Sequence, residues 1–427
     1  MNNITVILLS GGKSTRFWPL SDKNTLSFLG KPLIKRQIEN IKKAGFDNIH
    51  IVCNPENINL INSFHKTCIL QEGEGIGAAV LSGLKKVSGP VIIINADDIF
   101  LSDLLIRAKN TIEKNPSNNF LTAVEVNSYF PGGYLLPEKN SVKEIVEKPG
   151  ADKMPSNLFR FVFDYYSDSE KLKKNLEKLN DLEDYEKVIN NLIKSGADFK
   201  LLLYRGEWTS LKYPWHVLDV TKILLQEIKN NKIDPSAVID KTAKIIGPVI
   251  IDSGVKIFEN AKIVGPCYIG KNVIVGNNAI IRESNIESDC VLGFSTDVAR
   301  SYIGKNCWFH SNYIGDSVLD ENIGMGAGAN LANFRLDEEE IHSKVKGIKI
   351  NSNKIKLGSI IGKNVRVGIN ASIMPGVKIG KDTFIGGGIV IEKDVPDIKF
   401  CFGETKIIFK QNLKKVLLNR DQFKKKI

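Results

Sequence analysis

The feature that most constrains this chain is an aliphatic residue that returns at every sixth position in its second half. A period of six fits neither an α-helix nor a simple alternating strand. Three short strands of six residues make one triangular coil, and stacked coils align the aliphatic side chains in interior columns. The spacing therefore predicts a parallel β-helix of hexapeptide repeats. The aliphatic positions form two series: Ile239, Ile245, Ile251, Ile257, Ile263, Ile269, Val275 and Ile281, then Ile361, Val367, Ile373, Ile379, Ile385 and Ile391.

The repeat divides the chain of 427 residues into unequal parts. It occupies roughly residues 236–409, and the residues before it are numerous enough for a separate domain with its own core. We predict an N-terminal domain over 1–230 and a β-helix domain over 231–410. The remaining segment, 411–427, is rich in lysine and is predicted to form a short basic helix near the last coil.

The charge composition of the chain indicates which class of binding partner to expect. Lys+Arg 59 against Asp+Glu 48 gives a net charge of +11. The densest internal basic runs, residues 344–349 and 354–356, are typical of solvated faces. Because no aromatic residues interleave with them, a nucleic-acid partner is not predicted. The charge suits anionic, phosphorylated substrates instead.

Cysteine usage and hydropathy indicate the compartment. The six cysteines lie singly with no CxxC spacing, which is typical of free thiols in a reducing cytoplasm. The apolar run over residues 4–9 is too short for the apolar core of a signal peptide, and no stretch is long enough to cross a bilayer. The sequence therefore predicts a soluble, cytoplasmic protein with no membrane partner.

The N-terminal part alternates strand and helix patterns. Strands are predicted at 6–9, 48–52 and 91–95, and helices at 33–45 and 78–86. This alternation predicts an α/β domain with a Rossmann-like, mainly parallel sheet. Ligands of such sheets bind where the strands end. The glycine loop after the first strand and Asp97 after the third both fall at that edge.

Two features at this edge point to phosphate chemistry. Backbone N–H groups around Gly11 and Gly12 are suited to surround phosphates, although the pair is equally compatible with a simple tight turn. Lys13, Arg16 and Lys23 would neutralise a triphosphate. Asp97 fits a Mg²⁺ ligand, with a helix cap or Asx turn as the alternative.

Several short segments, in order, resemble the signature of sugar-1-phosphate nucleotidylyltransferases. They are Leu9-Ser-Gly-Gly-Lys-Ser-Thr-Arg16, Trp18-Pro-Leu-Ser21, Gly30-Lys-Pro-Leu33, Gln71 with Gly75-Ile-Gly-Ala-Ala79, Glu147-Lys-Pro149, Pro155-Ser-Asn157, Trp208 and Pro214-Trp215. With the β-helix behind them, nearly the whole chain resembles archaeal-type bifunctional UDP-N-acetylglucosamine pyrophosphorylase/glucosamine-1-phosphate N-acetyltransferases. In that family the β-helix is left-handed.

The resemblance implies a nucleotidyl transfer in the N-terminal domain. A sugar-1-phosphate oxygen attacks the α-phosphorus of an NTP, with Mg²⁺ as the cofactor and pyrophosphate as the leaving group. It assigns catalytic roles to Arg16, Lys23 and Asp97, with Asp97 also the metal ligand. Nucleotide binding is assigned to Ser10, Gly11, Gly12, Lys13, Gln71 and Gly75, and sugar-phosphate binding to Glu147, Lys148 and Asn157.

A second site is expected where the six-residue period breaks, at roughly residues 285–357. His310 there suits a general base, with a structural cap of a coil corner as the alternative. The resemblance implies acetyl transfer from acetyl-CoA in a homotrimer, with His310 catalytic. It places Arg282, Tyr313 and Asn333 on the sugar phosphate, and Ala327 and Lys356 on acetyl-CoA.

The chain also departs from the family pattern at several positions, and alternatives stay open. The departures are Ser14, Asp22, Ile76, Arg160, Ser210, Ala299 and Gly324. A bifunctional enzyme, a single-activity enzyme and a noncatalytic regulatory subunit remain possible interpretations. The nucleobase and the sugar are likewise open.

Overall fold

The structure, a computed structural model, describes residues 4–179, 184–404, 406–413 and 415. The basic helix predicted within 411–427 lies outside the described residues except at 411–413 and 415, which are not helical. None of the helices in the described ranges combines the length and apolar composition that a membrane-spanning helix requires.

The first part is an α/β domain built on one large sheet. Its strands are β1 Thr5–Ser10, β2 Ser27–Phe28, β3 Lys31–Pro32, β4 Asn48–Cys53, β5 Cys68–Leu70, β6 Val91–Asn95, β7 Asp98–Phe100, β8 Asn119–Glu125, β9 Gly133–Glu138, β10 Ser141–Glu147, β11 Leu158–Tyr166, β12 Phe199–Tyr204 and β13 Trp208–Ser210. Its helices are α1 Leu33–Lys43, α2 Ile58–Asn62, α3 Ile76–Leu84, α4 Asp103–Lys114, α5 Ser169–Leu176, α6 Tyr185–Lys194 and α7 His216–Gln226. A 3₁₀ turn spans Ala151–Lys153.

The strand order confirms a Rossmann-like core, but the prediction of a mainly parallel sheet is wrong: four of the eight neighbouring strand pairs are parallel and four are antiparallel. Within the described residues the large sheet runs β5-β4-β1-β6-β11-β8-β12-β10-β9. Strand β1 pairs in parallel with both β4 and β6, while β11 enters antiparallel beside β6. Residues 5–10 of β1 are buried on both faces, as expected of a central parallel strand covered by helices. The carboxyl ends of β1 and β6 therefore lie side by side.

The second part consists of short strands stacked in three parallel sheets. They are β14 Lys232–Ile233, β15 Val238–Ile239, β16 Lys244–Ile246, β17 Val249–Ile251, β18 Lys256–Ile257, β19 Lys262–Val264, β20 Cys267–Ile269, β21 Ile274–Val275, β22 Ile280–Arg282, β23 Asn285–Ile286, β24 Val291–Leu292, β25 Asp297–Ala299, β26 Tyr302–Ile303, β27 Trp308–Phe309, β28 Tyr313–Gly315, β29 Val318–Leu319, β30 Gly324–Met325, β31 Asn330–Leu331, β32 His342–Val345, β33 Ile348–Asn351, β34 Ile360–Ile361, β35 Arg366–Val367, β36 Ser372–Ile373, β37 Lys378–Ile379, β38 Phe384–Ile385, β39 Val390–Ile391 and β40 Phe400–Cys401. Among the strands of this part that the structure describes, only β32 and β33 stand outside the stack, as an antiparallel hairpin. The predicted left-handed β-helix of hexapeptide repeats is confirmed.

The six-residue series forms interior columns, and the columns continue where the sequence period breaks. Ile263 pairs with Ile281, which pairs with Val298, then Ile314 and Leu331. All of these side chains are 0% exposed and belong to one apolar core. The break over 285–357 is therefore a change of spacing, and stacking persists through most of it.

Shortened corners explain the lost period. From Ile281 to Ile286, and again from Val298 to Ile303, the next core residue comes after five positions instead of six. The corner residues Glu283 and Arg300 adopt positive φ of 47° and 48°. Positive φ is shared with the corners of six-residue spacing, such as Asn272 and Asn278 at 59°, so the shortened corners differ in omitting one surface residue while the core column is kept.

An apolar cluster joins the two parts of the chain. Phe17 and Phe28 from the N-terminal part and Trp215 beside α7 pack in one buried group with Tyr302 and Ile360 of the β-helix. The Tyr302 hydroxyl also donates to the Ser27 carbonyl at 2.8 Å. The segment that follows the glycine loop is therefore supported by the β-helix.

Candidate functional site

A large open cleft lies at the carboxyl ends of β1 and β6. Its volume is about 880 Å³. Eight of the residues predicted to act in the N-terminal domain line it together: Gly11, Gly12, Lys13, Arg16, Lys23, Gln71, Gly75 and Asp97. Ser10 lies beneath the cleft, 1% exposed, with its hydroxyl and carbonyl both accepting from the Asn57 amide.

The Lys23 ammonium and the Asp97 carboxylate form an ion pair in the cleft. The two side chains are only 12% and 18% exposed, so the pair is partly shielded from water. Asp97 lies in the turn between β6 and β7, and α4 begins only at Asp103. The alternative role as a helix cap is therefore wrong.

The carboxylate of Asp22 is held by two hydrogen bonds. It accepts from the Asn24 backbone N–H at 2.8 Å and from Asn57 Nδ2 at 3.0 Å. Burial raises the pKa of Asp22, against the opposing effect of these hydrogen bonds. The ion-pair partner of Lys23 is Asp97, while the charge of Lys23 also acts to lower the pKa of Asp22.

Two asparagines, which sequence reasoning missed, anchor the glycine loop. Asn54 Nδ2 donates to the Gly12 carbonyl at 3.1 Å, and Asn57 Nδ2 donates to the Ser10 carbonyl at 2.8 Å. Each of the two asparagines also accepts the other's backbone N–H through its side-chain oxygen. Their spacing directly after a strand is the signal for such a polar turn.

Two residues that line the cleft carry buried polar atoms without hydrogen-bond partners. Asn24 is 1% exposed, and neither its amide oxygen nor its amide nitrogen has a hydrogen-bond partner. The Ser14 hydroxyl is also unpartnered, on a residue with φ of 49°. Both residues line the cleft. Such groups are costly unless water or a ligand satisfies them, so the cleft is built for a polar occupant.

The donor set fits Mg²⁺ held mainly by its substrate. The described residues contain no group of three or more His, Cys, Asp and Glu side chains arranged around one point. Mg²⁺ with a nucleotide commonly uses one or two protein carboxylates plus phosphate oxygens. Asp97 supplies a carboxylate, and Asn24, whose amide oxygen is buried without a partner, is another residue of the cleft lining.

The backbone of Gly11 lies in close contact with the Gln71 side chain in the cleft. The Gln71 amide nitrogen donates to the carbonyls of Gly73 and Gly75 at 3.1 and 3.2 Å. A Cβ on Gly11 would lie 1.9 Å from the Gln71 side-chain oxygen. Only glycine therefore leaves the Gln71 amide in place.

If the cleft binds an NTP through Gln71, as the family resemblance implies, Gly11→Ala should raise the KM for NTP about tenfold, because Gln71 must move from its position; one hydrogen bond to a ligand is worth roughly this factor. Steady-state kinetics of pyrophosphate release measures it. The double variant Gly11→Ala/Gln71→Ala should show no greater defect than Gln71→Ala alone. Fully additive defects would contradict the steric explanation.

None of the three predicted sugar-phosphate residues, Glu147, Lys148 and Asn157, lines the cleft itself. Lys148 and Glu147 form an ion pair at 2.8 Å, and this pairing raises the pKa of Lys148. Both lie close to Lys212, a cleft residue that the sequence did not single out. Burial lowers the pKa of Lys212 to about 8, helped by Arg16 and Lys148. Asn157 is exposed, and its carbonyl accepts from the Val126 N–H at 2.9 Å.

His310 lies on an exposed, shortened corner of the β-helix. Core residues Phe309 and Ile314 flank it five positions apart, and Ser311 has φ of 49°. The His310 ring stacks on Trp308, with centroids 6.2 Å apart. Its backbone N–H donates to the Asn312 side chain, which in turn donates to two carbonyls of the next coil. The imidazole is thus exposed on a fixed corner.

Ala327 occupies the equivalent corner one coil further on. Strands β27 and β30 pair Phe309 with Met325, so Ala327 stacks over Ser311. The Gly328 N–H donates to the Ser311 carbonyl at 3.2 Å. Successive coils lie about 4.8 Å apart, which keeps the Ala327 backbone near the His310 corner.

Tyr313 and Asn333 meet over Gly315. A Cβ on Gly315 would lie 2.6 Å from both the Tyr313 hydroxyl and Asn333 Nδ2. Asn333 Nδ2 donates to Asp316 at 2.5 Å. The Asp316 carboxylate also forms a bidentate salt bridge with the Arg300 guanidinium, with both hydrogen bonds at 2.7 Å. Gly315 therefore leaves room for a polar cluster.

Arg282 and Lys356 lie at the edges of that cluster. The strand register aligns Arg282 with Ala299 and then Gly315 on neighbouring coils. The Arg282 guanidinium pairs with Asp297 at 2.7 Å and keeps its Nε buried without a partner. Lys356 Nζ lies 5.9 Å from the centre of the Phe334 ring.

Comparison with known proteins bears on the whole chain. Residues 6–124 match the MobA-like NTP transferase domain, and residues 358–393 match the bacterial transferase hexapeptide repeats. A bifunctional protein GlmU from Methanococcus aeolicus is 34% identical over 422 residues, covering 96% of this chain and 99% of that protein. This chain belongs to that family. A bifunctional sugar-1-phosphate nucleotidylyltransferase/acetyltransferase from Sulfurisphaera tokodaii is 33% identical, over 91% of this chain and 97% of its own length.

Arg160 is one of the positions at which this chain departs from the pattern of its family, and its side chain is accommodated in the protein core. Its side chain is 2% exposed and pairs with Asp164 and with Glu186 Oε1, the latter at 2.9 Å. Its guanidinium also lies over the Tyr185 ring at 5.3 Å. Burial raises the pKa of Asp164 to about 6 against the pull of Arg160. Arg160 therefore has a structural role in the core, where its ion pairs and its ring contact are all to buried or half-buried residues.

We expect Arg160→Ala to lower the free energy of unfolding by about 3 kcal/mol, because it leaves Asp164 buried without its cation. Urea unfolding followed by circular dichroism measures this loss. Arg205→Ala is the matched control, since Arg205 is 67% exposed and pairs loosely with Glu125 at 3.5 Å. The control should lose less than about 1 kcal/mol. Equal losses would contradict the role of the buried pair.

The other departures of this family member have local explanations. Ser210 pairs with Asp98 across β13 and β7, and burial raises the pKa of Asp98 to about 7. Ile76 begins α3 at the cleft wall. The space beside Gly324 is filled by the Arg366 side chain, 3.0 Å from where a Cβ would lie. Ala299 is fully buried, and the neighbouring Arg300 is tied to Asp316.

Proposed function

We propose that this chain is a bifunctional enzyme of nucleotide-sugar biosynthesis. Its N-terminal site transfers a nucleotidyl group from an NTP to a sugar-1-phosphate and releases pyrophosphate. Its β-helix site transfers the acetyl group of acetyl-CoA to an amino-sugar-1-phosphate. The observation that carries the proposal is the Lys23–Asp97 pair, set beside unpartnered polar groups in a cleft that the glycine loop borders.

In the first reaction a phosphate oxygen of the sugar-1-phosphate forms a bond to the α-phosphorus. The bond from that phosphorus to the bridging oxygen breaks, and pyrophosphate leaves. Such transfers depend on positioning and charge neutralisation more than on a nucleophilic side chain. Lys23 would neutralise charge at the transferred phosphate and Arg16 charge on the leaving group. Mg²⁺ held by Asp97 would supply further neutralisation.

In the second reaction the sugar amine forms a bond to the thioester carbonyl carbon. The carbon–sulfur bond breaks and CoA leaves as the thiol. His310 would remove the proton from the attacking amine, and the Ala327 N–H would stabilise the developing oxyanion. Tyr313, Asn333 and Arg282 would hold the sugar phosphate.

The assembly and compartment form part of the proposal. We propose domains over 1–230 and 231–410, a homotrimer formed through the β-helix, and a cytoplasmic location. Three large apolar side chains support a subunit contact near His310: Phe294, Trp308 and Ile369 are 61%, 56% and 60% exposed. Exposed apolar clusters of this kind mark interaction surfaces. Light scattering of the purified chain tests the trimer.

The decisive experiment incubates the protein with glucosamine-1-phosphate, acetyl-CoA, Mg²⁺ and each NTP in turn. Release of both CoA and pyrophosphate is the expected result. Release of only one product would indicate a single-activity enzyme. Release of neither product, across a panel of sugar phosphates, would overturn the enzymatic proposal in favour of a regulatory subunit.

A further inference from the structure

A second, smaller cavity adjoins the nucleotide cleft. It has a volume of about 360 Å³, against about 880 Å³ for the cleft. Thr15 and Arg16 line both spaces, so they form a common wall. The far wall comes from the other part of the chain and includes Lys344, Lys346 and Lys378. The β-helix therefore contributes to the surroundings of the N-terminal site.

The hairpin of β32 and β33 carries two of these lysines in a defined position. Val345 pairs with Ile348, so the hairpin turns on two residues, Lys346 and Gly347. Their φ angles are 49° and 82°, and two residues with positive φ form the tight turn that suits a twisted hairpin. Lys346 is thus fixed at the tip.

Buried Lys378 holds the hairpin against the glycine-loop segment. Its ammonium donates to the Ser343 hydroxyl at 3.1 Å and to the Lys344 carbonyl. It also pairs with Asp394 at 2.7 Å and lies 5.5 Å from the centre of the Trp18 ring. The charge of Lys378 is balanced by Asp394, and its role is to position the hairpin.

The remaining cations around the cavity have no counterion. Across the described residues, Arg16, Lys344 and Lys346 take part in none of the salt bridges, and the Arg16 guanidinium is 5.9 Å from the centre of the Tyr213 ring. Three unpaired cations converging on one small space produce a positive potential that an anion would relieve. Phosphate oxygens accept strong hydrogen bonds from such groups.

We propose that this cavity binds the diphosphate end of the nucleotide, and the pyrophosphate that leaves from it, with Lys344 and Lys346 as ligands. The inference rests on the proposed nucleotidyl transfer. Gln71 and the Lys23–Asp97 pair occupy the main cleft, whereas Arg16 borders both spaces. The small cationic cavity on the far side of Arg16 suits the terminal phosphates rather than the base or the sugar. The second domain thereby completes the substrate site of the first.

The test measures binding of inorganic pyrophosphate with Mg²⁺ by calorimetry, using the full chain. Lys344→Ala/Lys346→Ala should bind pyrophosphate about ten- to a hundredfold more weakly than the unaltered protein, since two charge-assisted contacts are lost. Lys349→Ala is the control, because it removes one positive charge from the same hairpin at a residue that does not line the cavity. It should change the affinity less than about twofold. Thermal unfolding confirms that the variants are folded.

Reverse-reaction kinetics provides the second readout. The double variant should raise the KM for pyrophosphate while the KM for the nucleotide-sugar stays unchanged. Equal pyrophosphate affinity in the double variant and the unaltered protein, or no binding by the unaltered protein, would overturn the inference. Simultaneous binding of pyrophosphate and the substrate NTP would overturn the assignment to the nucleotide. If the unaltered protein binds pyrophosphate but catalyses no transfer, the proposed function fails while the anion site stands.

Discussion

Lys23→Ala should lower kcat for pyrophosphate release by about 10²–10³-fold, the usual cost of removing one preorganised charge from a transition state. The Lys23 side chain is 12% exposed, so its charge acts in a partly shielded environment. Release of CoA should be unaffected, because His310 lies on a separate corner of the β-helix. Both products are measured in the same coupled assay.

Lys13→Ala is the matched control for this variant. Lys13 lines the same cleft but is 71% exposed and pairs with Glu74 at 2.6 Å. Exposed ion pairs of this kind contribute little free energy, and we expect Lys13→Ala to lower kcat for pyrophosphate release less than tenfold. Unchanged pyrophosphate release in Lys23→Ala would remove Lys23 from the mechanism. Loss of both products would argue against two independent sites.

His310→Ala should lower the rate of CoA release by about 10²–10⁴-fold, as expected when a general base is removed. Pyrophosphate release from an already acetylated sugar phosphate should continue at the unaltered rate. The corner should survive the change, because the backbone contacts of His310 and Asn312 do not use the imidazole. The free thiol of CoA is the measured product.

His342→Ala is the control for the second variant. His342 is exposed on the hairpin, away from the His310 corner, and its replacement should leave CoA release unchanged. If His310→Ala retains full acetyl transfer, the structural interpretation of His310 as a residue of the coil corner would be correct. Equal losses in both histidine variants would point to a general effect on the fold.

The architecture was predictable because it depends on local periodicity. The six-residue series in residues 239–281 specifies stacked coils whatever surrounds them, since each aliphatic side chain must be buried by its neighbours. The strand at Val91–Asn95 was predicted with its observed bounds from apolar residues ending in a turn. In both cases the signal lies within a few residues of the feature that it predicts.

The surroundings of the site were predictable only in part. The meeting of the glycine loop and Asp97 at one edge of the sheet follows from their places after parallel strands. The hydrogen bonds by which Asn54 and Asn57 anchor the glycine loop, and the hydrogen bond from Asn57 to Asp22, join residues as distant as 47 positions along the chain. The shortened corners that carry Arg300 and Ser311 disturb the period without interrupting the stack, so the sequence indicates a break where the core continues.

A β-helix behind an α/β nucleotide-binding domain could be predicted from the amino-acid sequence, because repeated burial and strand–loop motifs are encoded locally. Which charges pair with one another depends instead on how the chain folds. Sequence reasoning treated the basic run 344–349 as a solvated face, and its lysines are exposed. The fold adds that the hairpin bound by Lys378 brings Lys344 and Lys346 to the same cavity as Arg16. The physical reason is that electrostatic interactions depend on distance through space. Residues more than 300 positions apart in the chain therefore border one cavity.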